Sequence, residues 1–446
     1  MVPNVLHSWT FKVLGIGFLA LLMLIPLAQV QGLIGERNSL REKAVASIAS
    51  GWGGQQWLGG PVISVPKRVR VATNTGWVTQ ESAEIILPDR LDITATLVPE
   101  IRKYGIYDAP VYTSEIKLSA SFLARDFTGL AEAETTYRWE RAELRVPVGD
   151  VRGLRRISSL RVADEDYAFG PSDGGVGNLS AIAVAMDPTK YKSDRIAFEF
   201  DLTLAGTQVL DFLPLARVTD VSMRSPWPNP SFDGAFLPDK RSIDASGFES
   251  HWQVLDLNRP FGQRWRQDAQ SSTLVTTAAF GVSLYEPASL YQQNERAGKY
   301  GVLFVALTFV AFFLFEVLKK LRVHPVQYLL VGVALMTFYV VLLALSEQIG
   351  FAWAYGAASV AVVAMIGSYA AAILRAWRAG ALLAGMLALV YALLYGLVVS
   401  EQYSLLMGAI ALLAVVAALM HLTRKVDWYA AANLGSASTK FSQQVG

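Results

Sequence analysis

One stretch of this 446-residue chain alternates apolar and polar positions. The clearest run is Ile196–Leu204 (IAFEFDLTL), and a period of two with one polar face is typical of half-buried antiparallel strands. Further strands, some less regular, are expected at 62–71, 83–87, 91–97, 116–122, 144–148, 254–257 and 280–284. We therefore predict a mainly-β, sandwich-like domain of about eight to eleven strands.

Long apolar runs flank this alternating region. The first is Val13–Val30, interrupted only by Pro26. Five more follow the alternating region: Gly301–Leu318, Gln327–Leu345, Ala352–Leu374, Gly380–Val399 and Leu405–Leu422. About 20 apolar residues are enough to cross the hydrocarbon layer as a helix. The pattern predicts six transmembrane α-helices, with the large β domain inserted between helix 1 and helix 2.

Two interpretations of the first apolar run remain open. A cleaved signal peptide would use small residues such as Ala28 before the cut. An uncleaved anchor is favoured, because the run is long and Glu36–Ala49 continues with helical character. The glycine-rich segment Gly51–Gly60 is then expected to interrupt both helix and strand.

Charge separates the same regions and predicts an orientation. Residues 34–299 hold 30 of the 39 Lys and Arg and 33 of the 37 Asp and Glu. Beyond them, basic residues lie in the gaps 319–324 and 375–378 and after residue 423, whereas the alternate gaps carry only Glu347 and Glu401. Cations stay on the cytoplasmic side of a membrane. Both termini are therefore expected in the cytoplasm and residues 34–299 in the periplasm.

These boundaries give four parts. We expect a cytoplasmic start with helix 1 (1–33), a periplasmic β domain (34–299), a five-helix bundle (300–423) and a cytoplasmic tail (424–446). The near-neutral net charge of +2, without a basic tail, argues against nucleic acid as a partner. The partners expected are the lipid bilayer and an envelope component or membrane protein.

Sequence motifs for chemistry are missing. The chain has no cysteine and four histidines, without HExxH spacing, a Walker A loop or a GxSxG elbow. We predict no catalytic residues, no metal site and no cofactor, and expect a protein that is not an enzyme. A hydrolase built from a Ser beside a base or from two carboxylates stays open, because such sites form in space rather than in sequence.

The segment 222–252 concentrates proline and large aromatic residues. Its prolines argue against a central strand, since proline cannot donate to a β ladder. Candidate binding residues here are Trp227, Phe232, Phe236 and Trp252. The favoured interpretation is a long ordered loop whose aromatic rings cover the core, and the alternative is a surface for a ligand or partner.

Glu316 is the candidate in the membrane half. An ionisable group among apolar residues is a functional candidate by default. Lys319 and Lys320 follow three and four positions later on the same helical face, and His324 ends the gap. A structural pairing of Glu316 with these lysines is favoured over a proton or ion relay.

Several long motifs extend over nearly the whole chain, among them GPVISVP (60–66), SPWPNPSFDGAFLP (225–238), HPVQYLLVG (324–332) and FYVVLLALSEQIGF (338–351). In these motifs the chain resembles the CreD family of inner-membrane proteins. The resemblance implies a Gram-negative inner-membrane protein with a periplasmic domain, associated with envelope and β-lactam stress and with tolerance to some colicins. It implies no catalytic residue, because none is established for the family.

Three functional hypotheses follow from these observations. The first is a membrane protein whose periplasmic domain binds envelope material or a partner and supports envelope integrity under stress. The second is a transporter or channel formed by the helices. The third is an envelope-modifying hydrolase.

Overall fold

The structure is a computed structural model that describes residues 9–73, 76–127, 134–267, 269–284, 289–319, 323–373, 376–400 and 404–424. Contacts divide the chain into two compact units. One unit combines Met1–Leu40 with Ala288–Gly446 and is helical; the other, Arg41–Pro287, contains the sheets.

The helices, in chain order, are α1 Trp9–Leu22, α2 Leu24–Trp52, α3 Ala269–Thr277, α4 Leu290–Lys299, α5 Gly301–Lys319, α6 Pro325–Ile349, α7 Phe351–Ile373, α8 Trp377–Val399 and α9 Ser404–Thr423. Within the described residues, four helices are long and apolar enough to cross a membrane, counting α1 and α2 as one. The number is five if α4 and α5, bent by 45° at their junction, form one span. Helix α9 contains an apolar helical stretch, Leu406–Ala417, that is shorter than the candidate spans.

The first apolar run continues as a long helix, as predicted. Helices α1 and α2 are separated only at Met23, three residues before Pro26. Proline removes a helical hydrogen bond and its ring crowds the preceding turn, which accounts for the local break. Helix α2 then continues to Trp52, so the polar segment Glu36–Ala49 is helical.

Small residues bring α7 and α8 close together. A Cβ atom on Gly380 would lie 2.5 Å from the Cβ of Ala371, and one on Gly367 would lie 2.8 Å from the Cβ of Ala384. Neither glycine could become alanine without moving the neighbouring helix. Close approach of this kind is how helices associate in lipid, where packing replaces the hydrophobic effect.

The sheet unit has twenty strands in its described residues: β1 Gln56–Gly59, β2 Val62–Thr73, β3 Gly76–Ile86, β4 Arg90–Tyr104, β5 Tyr107–Leu123, β6 Thr135–Tyr137, β7 Glu143–Val148, β8 Leu154–Ile157, β9 Leu160–Val162, β10 Glu165–Tyr167, β11 Gly170–Pro171, β12 Ser180–Ala185, β13 Arg195–Thr207, β14 Val209–Leu213, β15 Val218–Ser225, β16 Pro230–Gly234, β17 Lys240–Asp244, β18 Gly247–Leu255, β19 Arg264–Arg266 and β20 Phe280–Leu284.

These strands form two sheets. The first has the order β16-β20-β14-β1-β7-β2-β3-β19, with β12 beside β7, β11 beside β12 and β6 beside β2. The second has the order β10-β9-β13-β5-β4-β15-β18-β17, with β8 beside β13. One core cluster contains Ile63 and Phe280 from the first sheet and Ile93, Phe198 and Trp252 from the second. The mainly-β domain is therefore built of two sheets that share a core.

The expected strand count was too low. The long alternating runs are correctly placed, since Ile196–Leu204 lies in β13 and 116–122 lies in β5. Strands such as β9 and β10 have only three residues each and offer no periodicity to recognise. Sheet pairing, which the local pattern does not encode, is what makes them strands.

The glycine-rich segment does not interrupt all regular structure, so that expectation was wrong. Gln56–Gly59 forms β1, which pairs with β14 in parallel and with β7 in antiparallel. Gly53 has φ +131°, and a Cβ there would lie 2.6 Å from the carbonyl oxygen of Ala205. The glycines thus end α2 and let the chain pass close to β13 before it enters the sheet.

Candidate functional site

Glu316 lies in the interior of the helical unit, with a side chain that is 1% exposed. Its Oε1 pairs with the ammonium of Lys12 in α1 and accepts from the backbone N–H of Val323 at 3.0 Å. Its Oε2 accepts from the hydroxyl of Tyr328 in α6 at 2.9 Å. The ammonium of Lys12 also donates to the carbonyl oxygen of Val323 at 2.9 Å. One carboxylate therefore joins α1, α5 and the start of α6.

This network gives Glu316 a partner that the sequence did not suggest. The described partner is Lys12, which precedes Glu316 by 304 positions, so no helical spacing could reveal it. Lys320 lies outside the described residues, and Lys319 ends α5. A buried carboxylate keeps its charge at low cost only when it is paired and hydrogen-bonded. Glu316 meets both conditions.

His324 is the N-cap of α6. Its Nδ1 accepts from the N–H of Val326 at 3.3 Å, and Gln327 Oε1 accepts from the N–H of His324 at 3.0 Å. Pro325 occupies the first helical position, where its missing N–H costs nothing. The position of His324 in the helix start explains it without a ligand.

The segment FYVVLLALSEQIGF (338–351) contributes to a second polar cluster in the helical unit. Ser346 accepts from Asn294 of α4 at 2.9 Å, and Glu347 accepts from the hydroxyl of Tyr291 at 3.0 Å. Arg37 of α2 lies 3.9 Å from Glu347. These contacts fix the amphipathic helix α4 against α6.

The aromatic segment packs on the domain core. The ring of Phe232 lies 5.6 Å from Phe248 and 5.8 Å from Trp252, both in edge-to-face contact, and Phe236 lies 5.8 Å from Phe280. Trp252 has 0% exposure, so it cannot reach a partner at the surface and the binding role considered for it is corrected. Trp227, Phe232 and Phe236 are half-buried against the same core.

The segment is also partly a strand. Pro230–Gly234 forms β16, which lies at the end of its sheet and pairs with β20. On the side of β16 that has no neighbouring strand, the missing N–H of a proline costs no ladder hydrogen bond. The same segment also contains the end of β15 and the start of β18, which are interior strands of the second sheet, so the expectation of a long loop without a central strand was wrong.

A polar groove crosses the outer face of the second sheet. In β15, Val221 and Met223 point into the core, so Ser222 and Arg224 point outward. Register places Ser222 between Thr94 of β4 and His251 of β18, with Lys240 of β17 beyond His251. The groove has a volume of about 490 Å³. Its lining residues are Thr94, Ala95, Ser222, Met223, Arg224, Lys240, Arg241, Ser242, Glu249, Ser250 and His251.

A serine, a histidine and an aspartate meet in this groove. The hydroxyl of Ser222 lies 3.2 Å from Nδ1 of His251, and Nε2 of His251 lies 3.8 Å from the carboxylate of Asp220. Asp220 accepts from Arg90 at 2.9 Å and from Gln253 at 3.0 Å. No sequence pattern indicates this contact, because β15 and β18 come together only through the sheet register.

A pair of carboxylates lies on the first sheet. Asp211 of β14 and Asp233 of β16 are both paired with Gly281 of β20, so they share one face of the sheet across a residue without a side chain. Burial, together with the charge of Asp233, raises the pKa of Asp211 to about 6, and a hydrogen bond with Trp57 opposes the rise. The described residues contain no group of three or more His, Cys, Asp or Glu arranged to hold a metal ion.

Several apolar helices and a large mainly-β domain define a multi-pass membrane protein. The family model described as "Inner membrane protein CreD" matches residues 8–429. The Inner membrane protein CreD of Escherichia coli (strain K12) is 34% identical over 415 residues, which cover 92% of this chain and 91% of that protein. The chain therefore belongs to the CreD family of inner membrane proteins.

Proposed function

We propose that this protein holds its sheet domain in the periplasm on six transmembrane helices, with both termini in the cytoplasm, and that the domain binds a component of the cell envelope. Through this binding it supports envelope integrity under stress. The observation that carries the proposal is the groove of about 490 Å³ on the outer face of a sheet whose inner face already has a complete core. A pocket of this size is within the usual range of ligand sites, about 300–1,000 Å³.

The Glu316 network supports binding over transport. A carboxylate in a proton or ion relay must exchange its partner during a cycle. Glu316 is held by Lys12, Tyr328 and the backbone of Val323, which makes it a link between helices. The cavity between α5, α8 and α9 is about 50 Å³ and its lining is apolar apart from Tyr300, which does not suit a polar solute.

The contact between Ser222 and His251 favours one second candidate, hydrolysis by an activated serine. Acyl transfer also needs donors for the developing oxyanion. Strand β15 pairs with β4 on one side and β18 on the other, so its backbone N–H groups are engaged in ladders. That pairing supports binding by these side chains in preference to catalysis. A fluorophosphonate probe that labels Ser222 covalently, but not Ser222→Ala, would support the hydrolase instead.

Photo-crosslinking in intact cells tests the binding proposal. A photoreactive residue is placed on the sheet domain at Ser242, Leu257 or Lys192, all exposed, and in the helical unit at Val360, which is 70% exposed. The proposal expects adducts with an envelope component from the sheet-domain positions, in addition to lipid adducts from Val360. Lipid adducts alone, together with solute flux through reconstituted protein that Glu316→Gln abolishes, would contradict binding and support transport.

A further inference from the structure

The two cations on the outer face of the groove, Arg224 and Lys240, form no ion pair among the described residues. Arg224 donates through Nε to the hydroxyl of Thr96 at 3.1 Å. Elsewhere in the same domain arginines are commonly paired, as Arg90 is with two aspartates. Unpaired cations collected in a concave site are available to an anion.

Hydrogen-bonding groups surround these cations in two rows. Register places Thr94, Ser222, His251 and Lys240 side by side across four strands. The next row on the same face is Thr96, Arg224, Glu249 and Ser242. Hydroxyl, imidazole, ammonium and carboxylate groups at cross-strand spacings of about 5 Å offer a ligand both hydrogen-bond donors and acceptors.

The geometry points to an anionic saccharide, a sugar that carries a phosphate or carboxylate, as the ligand of this groove. Arg224 and Lys240 bind the oxyanion. Ser222, Ser242 and Glu249 bind sugar hydroxyls. The volume of about 490 Å³ holds one or two sugar rings. This inference deepens the proposed function and rests on it, because it names the class of envelope component that the sheet domain recognises.

The lining distinguishes a saccharide from a lipid surface. Insertion into a bilayer interface uses exposed aromatic or aliphatic side chains. The apolar side chains that line this groove are Ala95 and Met223, and both are buried in the core, at 0% and 2% exposure. Glu249 can accept hydrogen bonds from sugar hydroxyls, which a saccharide supplies beside its anionic group.

The test uses the full chain in a detergent without a sugar headgroup, and isothermal titration with four probes. These are glucose 6-phosphate, glucuronate, glucose and inorganic phosphate, and a separate measurement uses vesicles that contain phosphatidylglycerol. Both anionic sugars are expected to bind, each at least tenfold more tightly than glucose or phosphate alone. Arg224→Gln and Lys240→Gln should each weaken the binding of glucose 6-phosphate by about tenfold, since each removes one charge-assisted hydrogen bond. Lys192→Gln, which removes an exposed charge outside the groove, should leave it unchanged.

Three results would overturn the saccharide. If inorganic phosphate bound as tightly as glucose 6-phosphate, the groove would be an oxyanion site that does not recognise the sugar. Binding confined to vesicles that contain phosphatidylglycerol would indicate a headgroup. Absence of binding to all probes, with crosslinks from Leu257 and Lys192 retained, would reject this ligand and leave the proposed function standing. Loss of those crosslinks as well would reject both.

Discussion

Glu316 is the residue at which local pattern and three-dimensional contact differ most. The sequence places two lysines on its own helical face, and the structure pairs it with Lys12 of the first helix. Removing one partner of a buried ion pair leaves the other charge without compensation, whereas replacing both can be nearly neutral. The network therefore predicts a stability effect that depends on the pair rather than on either charge alone.

Glu316→Gln is expected to lower the stability of the helical unit by roughly 2–3 kcal/mol, because it leaves the partly exposed Lys12 without its carboxylate. Thermal unfolding of the full chain in detergent measures the change. The double variant Lys12→Gln with Glu316→Gln should lose less than the sum of the two single variants. Glu295→Gln, which removes an exposed partner of Lys299, should cost under about 0.5 kcal/mol. Additive losses would contradict a direct interaction.

The raised pKa of Asp211 predicts that the stability of the sheet domain depends on pH. Its pKa is about 6 in the fold against 3.8 for an ordinary aspartate, so the folded state holds a proton that the unfolded chain releases. The stability that this group contributes is complete below pH about 4 and is lost as the pH rises through 6, up to about 2–3 kcal/mol. Melting of the sheet domain at pH 4, 5, 6 and 7, followed by tryptophan fluorescence, measures it.

Two variants identify the source of that dependence. Asp211→Asn should be more stable than the parent at pH 7, with the difference shrinking towards pH 4. Asp233→Asn removes the neighbouring charge, lowers the pKa of Asp211 and should reduce the same slope. Equal slopes for the parent and Asp211→Asn would show that other groups set the pH profile.

At the scale of elements, long-range pairing decides what local pattern leaves open. Strands β4, β5 and β13 alternate over many residues and were predictable, because one face of each is buried. Strand β1 was not, since three of its four residues are fully buried and its neighbours are glycines. The groove was equally hidden, because Ser222 and His251 become neighbours only through the register of β15 and β18.

The edge strand β16 gives the third prediction. Phe232→Ala removes a half-buried ring that contacts Phe248 and Trp252, and should lower the stability of the sheet domain by about 2 kcal/mol. Leu237→Ala changes a side chain of the same segment that is 65% exposed and should cost under about 0.5 kcal/mol. Tryptophan fluorescence during thermal unfolding compares the two. If the Phe232→Ala protein were as stable as the parent but its cells lost resistance to envelope stress, this ring would instead be part of a binding surface.

At the scale of the whole molecule, the number of membrane spans, odd or even, determines which compartment each part occupies. Four or five described helices satisfy the length and hydropathy of a span, and α9 decides between an odd and an even total. The basic residues in the gaps fit six spans, because every second gap then lies in the cytoplasm. A short apolar helix can still cross a bilayer that thins locally, at a modest energetic cost.

The absence of cysteine from the chain makes this parity directly measurable, since any single cysteine is the only thiol. Leu257→Cys, at a position 89% exposed in the sheet domain, should react with a membrane-impermeant maleimide in intact spheroplasts. Ala376→Cys, exposed between α7 and α8, should react only after permeabilisation. Ser442→Cys lies in the tail, outside the described residues, and should behave like Ala376→Cys if α9 crosses.

Labelling of Ser442→Cys in intact spheroplasts would mean that α9 does not cross. Protection of Leu257→Cys would reverse the orientation and place the groove in the cytoplasm, away from any periplasmic ligand.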